Sequence, residues 1–395
     1  MENQKALPYH LQSIVPSLKE VKEESSLLNN KMTKLLSSCA INKKVSIENL
    51  HEHLRIAMML ELSTIPPYLC ALYSIESGDS TKADYKEIYG DNAEVAGIIR
   101  SVMMEEMLHF TLVGNILNAV NGEVKINDAK YVPEYPTVLP DSAGKFQVHL
   151  SKFDKSAIRT FLRIEQPTPP GTTPKLDDYT TIGQFYHAVI DLMEKLEKKA
   201  KSEGRTIFTG DKSRQIDPKY YYGGGGKITS VSNLKEAKYA VNIILEQGEG
   251  AEHSIYDTDH EEFDQITELA HYFKFNEIYE AQRYADCQLN PKNPPQGTKM
   301  DIKYDKVYNM GINPKTKDFV SEELKEMSYE FNLLYRNLLD NLQKAFTGKG
   351  EEFMQAVGGM YKLSYKAIEL MRNPIPGKKV NAGPTFEFLT DEEVI

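Results

Sequence analysis

The sequence contains no tryptophan and only three cysteines among its 395 residues. Cys39, Cys70 and Cys287 form no Cys-x-x-Cys pair, which excludes a zinc ribbon, a dithiol redox motif and a disulfide framework. Such sparse cysteines fit a reducing compartment. The chain opens on no charged-then-apolar leader, and no uninterrupted apolar run is long enough to span a bilayer. We therefore expect a cytoplasmic protein.

The sequence also lacks an excess of positive charge. Its 47 lysines and arginines face 57 aspartates and glutamates, for a formal net charge of −10. No basic stripe or basic helix stands out, so neither nucleic acid nor an anionic membrane is expected as the main partner. The 41% hydrophobic and 26% charged residues are ordinary for a globular protein with a sizeable core.

Apolar residues recur at helical spacing along most of the chain, which predicts an all-α protein. Helices are predicted over 46–75, 91–121, 181–201, from about 233, 260–286, 321–345 and 351–371, with a short extended piece at 146–150. This order predicts a four-helix bundle with long capping loops and an additional C-terminal helical hairpin. We expect an N-terminal arm (1–45), a metal-binding bundle (46–290) with an inserted cap (122–232), and a C-terminal hairpin with an extended tail (291–395).

Two acids and an imidazole interrupt the apolar pattern of the helix predicted over 91–121. A buried carboxylate costs several kcal/mol unless it is compensated, and a metal ion compensates it well. Glu106 and His109 are three residues apart and project from one helix face, which is the Glu-x-x-His spacing of bundle di-iron sites. Glu105 points about 100° away, so it is expected behind the ligands or at the surface.

Glu-x-x-His alone is a weak signal, and the chain has three copies, at Glu48/His51, Glu106/His109 and Glu268/His271. A di-metal bundle also needs a lone glutamate from each of two other helices. The order Glu, Glu-x-x-His, Glu, Glu-x-x-His is far more specific. It predicts six ligands, which are also the predicted catalytic residues: Glu61, Glu106, His109, Glu246, Glu268 and His271, with Glu249 as the alternative to Glu246.

Three further features bear on the site. Pro66 and Pro67 follow Glu61 and should kink or break their helix. The four glycines at 223–226 are followed by Lys227 and Ile228, which does not match a phosphate loop, so a flexible turn is expected. Aromatic residues near the ligands are candidates for a substrate pocket, although packing in the core explains them at least as well. They are Tyr68, Phe110 and Tyr272.

Several segments together resemble the ferritin-like family of the iminophenyl-pyruvate dimer synthases. They are Glu61-Leu62-Ser63-Thr64-Ile65-Pro66-Pro67-Tyr68, Glu105-Glu106-Met107-Leu108-His109, Glu246-Gln247-Gly248-Glu249-Gly250, His271-Tyr272-Phe273-Lys274-Phe275 and the terminal Ala382-Gly383-Pro384-Thr385-Phe386-Glu387. The resemblance implies a ferritin-like bundle with bound iron and an oxidative role in making a natural product.

The sequence therefore predicts a non-haem di-iron, O₂-dependent oxidoreductase acting on a small amino-acid-derived or similar substrate. Two iron ions are the expected cofactor, although another divalent metal also suits nitrogen and oxygen ligands. The alternatives are an iron-binding ferroxidase or storage-like protein, and a helical interaction protein whose Glu/His pairs are salt bridges. The sequence does not decide whether the chain forms a homo-oligomer or binds a partner enzyme of the same pathway.

Overall fold

The computed structural model describes residues 45–78, 85–139, 146–168, 181–250, 254–257, 268–285, 290 and 292–394. The predicted all-α class is confirmed. Within these ranges a single two-stranded antiparallel sheet, β1 (Thr137–Val138) with β2 (Gln147–Val148), accompanies nine α-helices. The helices are α1 (Ile47–Ser74), α2 (Tyr85–Tyr89), α3 (Ala93–Ala119), α4 (Lys155–Ile164), α5 (Ile182–Ser202), α6 (Leu234–Glu249), α7 (His271–Glu280), α8 (Glu322–Ala345) and α9 (Glu352–Arg372).

The core of the fold is the pair α1 and α3, almost all of whose side chains are buried. His51 near the start of α1 meets the carbonyl of Val120 just beyond α3, at 2.8 Å. Thr64 farther along α1 meets Glu106 in the middle of α3, at 2.6 Å. The two helices are therefore antiparallel, as their short connection predicts.

Helix α1 begins as predicted, with the Ser46 side chain accepting from the backbone N–H of Asn49. It does not break at Pro66 and Pro67, which both lie inside the helix. Because Pro67 has no N–H to donate, the carbonyl of Ser63 loses its helical partner. The Tyr135 hydroxyl donates to this carbonyl at 2.9 Å, so the proline pair is accommodated by a buried side chain.

Four further helices surround this pair. Helix α5 packs against α1 and α6, α6 against α3, and α7 against α3 and α4. Helices α5 and α6 begin where they were predicted to begin, and the side chains of Thr181 and Asn233 cap them. Helix α7 differs from the prediction because it begins only at His271, and residues 258–267 lie outside the described ranges.

Helices α8 and α9 form the expected hairpin, and α9 packs on α1. The tail returns to α8, where Thr385 and Glu387 bond to the Asn332 side chain. The predicted division into arm, bundle and hairpin stays a prediction, and residues 1–44 of the arm lie outside the described residues. Of the described helices, α1 alone is long and apolar enough to cross a membrane, but its most apolar stretch is entirely buried in the protein, as in the central helix of a bundle.

Candidate metal centre

Three carboxylates and two imidazoles meet between α1, α3, α4 and α7. Each is at least nine-tenths buried, with the most exposed residue at 7%. One carboxylate comes from the middle of α1, a carboxylate and an imidazole from the middle of α3, one carboxylate from the C-cap of α4, and one imidazole from the first residue of α7. We name this group the carboxylate–imidazole cluster: Glu61, Glu106, His109, Glu165 and His271.

Glu106 lies at the middle of the cluster. Its Oε1 is 3.5 Å from His109 Nδ1 and 2.9 Å from His271 Nδ1. On one side Glu61 Oε2 is 3.6 Å from His109 Nδ1, and on the other Glu165 Oε2 is 3.4 Å from His271 Nδ1. The five donors therefore form two overlapping groups of three that share Glu106.

Each carboxylate has its second oxygen held by a hydroxyl. Thr64 donates to Glu106 Oε2 at 2.6 Å, Tyr186 to Glu61 Oε1, and Tyr68 to Glu165 Oε1. The two imidazoles are held in a similar way from behind. His109 Nε2 meets Gln247 Oε1 at 2.7 Å, and His271 Nε2 meets Glu105 Oε2 at 2.6 Å.

All five inward-facing atoms can therefore accept a cation while their outer partners keep them in place. Outer partners of this kind are typical of metal ligands. The Nδ1 atom of His271 is buried and makes no aligned hydrogen bond despite its short approach to Glu106. Such an atom fits a metal ligand, and the ligand atoms of Glu106, His109 and His271 lie within 4.8 Å of one another.

Protonation of the cluster shows how the charges balance without a cation. Burial, aided by the charge of Glu106, raises the pKa of Glu61 to about 7. Burial likewise raises the pKa of Glu165. Burial opposes charge on the imidazoles, but hydrogen bonds to Glu106 and Glu61 raise the pKa of His109 to about 10. The charge of Glu165 and hydrogen bonds raise the pKa of His271 well above its usual value.

Burial would raise the pKa of Glu106 as well, but its close approach to both imidazoles holds it well below its usual range. In the metal-free protein, protons on His109 and His271 therefore supply the positive charge that neutralises the carboxylates. These protons lie on atoms that face the middle of the cluster. A metal ion would take the same place and displace them.

The structure brings together four of the six predicted ligands, namely Glu61, Glu106, His109 and His271. Glu268 is not among them, and its Oε2 is 3.0 Å from Lys274 Nζ instead. The reason is local: Leu269 pairs with Tyr256 in an isolated bridge, so Glu268 lies in an extended segment before α7. The helical spacing that would place Glu268 beside His271 is absent.

Glu246 is also placed away from the cluster. Its Oε1 accepts from Asn242 Nδ2 at 2.6 Å at an exposed position. The face of α6 that meets His109 carries Gln247, and its neighbour Glu246 points about 100° away. The alternative, Glu249, lines a small cavity beside the cluster and accepts from Thr168 at 2.7 Å and 3.0 Å.

Glu165 is the member of the cluster that the sequence did not predict. Glu165 follows a short helix in a region predicted as a cap, where no helical spacing links it to another ligand. The one feature of the sequence that could have indicated Glu165 is its place directly after an amphipathic segment, in Glu165-Gln166-Pro167. Of the two positions expected for Glu105, the structure has the one behind a ligand: Glu105 is fully buried, contacts His271 and is ion-paired with Lys274 at 2.5 Å.

The cavity beside the cluster has a volume of about 30 Å³, room for about two water molecules. None of the three aromatic candidates is among the described residues that line it. Tyr68 reaches the cluster through Glu165, whereas Phe110 packs edge-on against Phe346, 6.1 Å between ring centroids. Tyr272 is buried beside Phe273. The apolar wall of the cavity is formed by Ile164, Ile182, Ile244 and Leu245.

Comparisons with known proteins agree with the fold. The family model described as Ferritin-like matches residues 54–280, which contain the whole cluster. Dichlorochromopyrrolate synthase from Lentzea aerocolonigenes is 23% identical over 382 residues, covering 85% of this chain and 35% of that protein. The chain thus spans about a third of that protein's length. The crystal structure of a ferritin-like protein from Caulobacter vibrioides has a TM-score of 0.55 and 23% identity, over 87% of this chain and 99% of that one.

Proposed function

Since this chain belongs to the ferritin-like family, we propose that it is a di-iron, O₂-dependent oxidoreductase that acts on a small organic substrate. The observation that carries the proposal is the carboxylate–imidazole cluster. Each of its five side chains turns one donor atom to the middle of the cluster, while its other oxygen or nitrogen is held by a second side chain. Three carboxylates with two imidazoles suit iron, and Glu106 faces both imidazoles as a bridging carboxylate would.

The residues would divide between two ions. Glu61 and His109 would hold one, Glu165 and His271 the other, and Glu106 would be shared. Glu249 is close enough to the same cavity to serve as a further oxygen ligand or as a proton acceptor. Burial raises its pKa as well, so it is suited to holding a proton. This assignment replaces Glu268 and Glu246 with Glu165 and Glu249.

Bound iron would supply the electrons that reaction with O₂ requires. The chain itself contributes positioning and exclusion of water. Thr64, Tyr68 and Tyr186 fix the carboxylate orientations, and the apolar wall leaves room for a molecule the size of O₂. Burial raises the pKa of Tyr186 well above its usual value, so Tyr186 keeps its proton and donates it as a hydrogen bond to the outer oxygen of Glu61.

The substrate class is proposed from the relative. Dichlorochromopyrrolate synthase is a biosynthetic enzyme by its name, which favours an amino-acid-derived or similar natural-product substrate for this chain. On the low cysteine content we also propose a cytoplasmic location. A homo-oligomer or a partner enzyme of the same pathway remains part of this proposal.

A ferroxidase that oxidises iron without an organic substrate is the second candidate. The observation that favours it is the cavity volume of about 30 Å³, which accommodates O₂ but no amino-acid-sized molecule. An oxidoreductase would need the cavity walls to rearrange when its substrate binds. The two candidates therefore differ in whether an organic molecule changes the reaction with O₂.

The test is anaerobic iron loading followed by exposure to O₂. We expect about two iron ions per chain and, with a reductant present, O₂ consumption that rises several-fold over reductant alone when an aromatic amino acid or its 2-oxo or imine derivative is added. Consumption that is the same with and without these organic molecules would favour the ferroxidase. Glu106→Ala should abolish loading, and Asn242→Ala, on the exposed side of α6, is the matched control. Wild-type protein that binds no iron would refute both.

A further inference from the structure

Two side chains outside the cluster hold its imidazoles, and they differ in charge. Behind His109 lies the neutral amide of Gln247, with Oε1 at 2.7 Å from Nε2. Behind His271 lies the carboxylate of Glu105, with Oε2 at 2.6 Å from Nε2. Gln247 is 1% exposed and Glu105 is fully buried, so water cannot take over either role.

Backbone chemistry fixes the orientation of the Gln247 amide. Its Nε2 lies 2.9 Å from the carbonyl oxygen of Gly225, which can only accept a hydrogen bond. The amide NH₂ must therefore face Gly225, and Oε1 must face His109. Because Oε1 can only accept, His109 has to carry a proton on Nε2. In neutral His109 this leaves the Nδ1 lone pair directed at Glu61 and Glu106.

The glycine segment explains how this carbonyl reaches the site. Gly225 is buried with φ of +77°, a conformation that favours glycine. A Cβ added there would lie 2.8 Å from the Cα of Glu105 and 2.8 Å from the carbonyl oxygen of Met104. The segment predicted as a flexible turn thus packs directly on the backbone of α3, and only glycine permits this approach.

Glu105 has a different environment. Its other oxygen, Oε1, is 2.5 Å from Lys274 Nζ, and Lys274 also pairs with Glu268 at 3.0 Å. Lys274 stands one turn after His271 on α7, so the ion pair fixes Glu105 in position behind the ring. Glu268, predicted as a ligand, serves here to hold Lys274. An imidazole whose outer N–H is bonded to a carboxylate is a more basic metal ligand than an imidazole whose outer N–H is bonded to an amide.

We propose that Gln247 and Glu105 are positioning residues that make the two metal positions unequal. The position of His271, backed by a carboxylate, binds its ion more tightly and fills first. The position of His109, backed by an amide, fills second and loses its ion more readily. This inference rests on the proposed di-iron function and adds an order of loading to it.

The inference is tested by titrating the metal-free full chain anaerobically with Fe²⁺. Wild type should bind in two steps of unequal affinity, with two Mössbauer quadrupole doublets that appear in sequence. Gln247→Leu removes the hydrogen bond at similar volume and should weaken only the second step, by about 10- to 100-fold. Glu105→Gln should weaken only the first step by a similar factor, bringing the two affinities together.

Two controls separate positioning from folding. The carboxyl group introduced by Gln247→Glu faces the carbonyl oxygen of Gly225 with its second oxygen, which favours the protonated form; it then accepts from His109 Nε2 as the amide does, so the second step should stay within about tenfold of wild type. Asn242→Leu, on the exposed face of the same helix, should change neither step. Equal weakening of both steps by Gln247→Leu, or no rescue by Gln247→Glu, would overturn the inference. Wild type that binds no iron would instead refute the proposed function.

Discussion

The strongest prediction concerns protons that a metal ion must displace from the cluster. The pKa of His109 is raised to about 10 by Glu106 and Glu61 against the effect of burial, and that of His271 is raised well above its usual value. Both rings are therefore protonated between pH 7 and 9, and each ion needs a deprotonated Nδ1. At pH 7 this costs the His109 position about a thousandfold in apparent affinity, and at pH 9 about tenfold.

The apparent affinity at the His109 position should accordingly rise about a hundredfold from pH 7 to pH 9, or about 2.7 kcal/mol, and the affinity at the His271 position should rise in the same direction. Calorimetric titration with Co²⁺ in two buffers of different ionisation enthalpy should report about two protons released per chain at pH 8. His109→Ala should remove one of them. His187→Ala is the control, because His187 lies outside the cluster and its partial burial lowers its pKa, so it carries no proton in this range.

The same groups set the sign of the stability change. Folded-state pKa values above the unfolded values mean that the metal-free protein loses stability as pH rises, between about 4.5 and 7 through Glu61 and between about 6.5 and 10 through His109. Bound metal removes this dependence, so the metal-induced rise in melting temperature should be larger at pH 8.5 than at pH 6. An affinity that does not change with pH, or fewer than half a proton released, would refute the reasoning.

Three further predictions follow from single contacts. Glu165→Ala should cost one of the two iron equivalents in metal analysis, whereas Glu268→Ala should retain both; the reverse result would restore the ligand set predicted from sequence. Tyr135→Phe should lower the free energy of unfolding of the metal-free protein by about 1–3 kcal/mol in urea, because it leaves the carbonyl of Ser63 unpaired. Gly225→Ala should lower that free energy by more than about 1 kcal/mol, through its left-handed backbone and the close approach to α3; an unchanged urea midpoint would contradict it.

The ferritin-like fold expected from the sequence is confirmed, because long amphipathic helices and their caps are local signals. Ser46, Thr181 and Asn233 cap their helices as their residue types predict. Local spacing also united Glu106 with His109, two residues on one continuous helix. Local spacing could not show that α7 begins only at His271, because the apolar pattern of a sequence does not reveal which residues adopt an extended backbone before a helix.

Contacts distant in sequence account for the rest of the candidate site. Glu165 joins the cluster from 59 residues beyond Glu106 because α4 and α7 pack together, which no periodicity encodes. The sequence also could not show which face of α6 meets α3. Only the packing of the neighbouring helices decides that Gln247, and not Glu246, faces α3. The ligand set predicted from sequence stays a prediction until metal binding is measured on variants.

The hydroxyl and amide partners around the cluster have a consequence for the order of folding and metal binding. Thr64 and Tyr68 on α1, Tyr186 on α5 and Gln247 on α6 contact the donors from three different helices. The full donor set is therefore in place only once these helices have packed, so a metal ion would bind the folded chain and stabilise it rather than direct its folding.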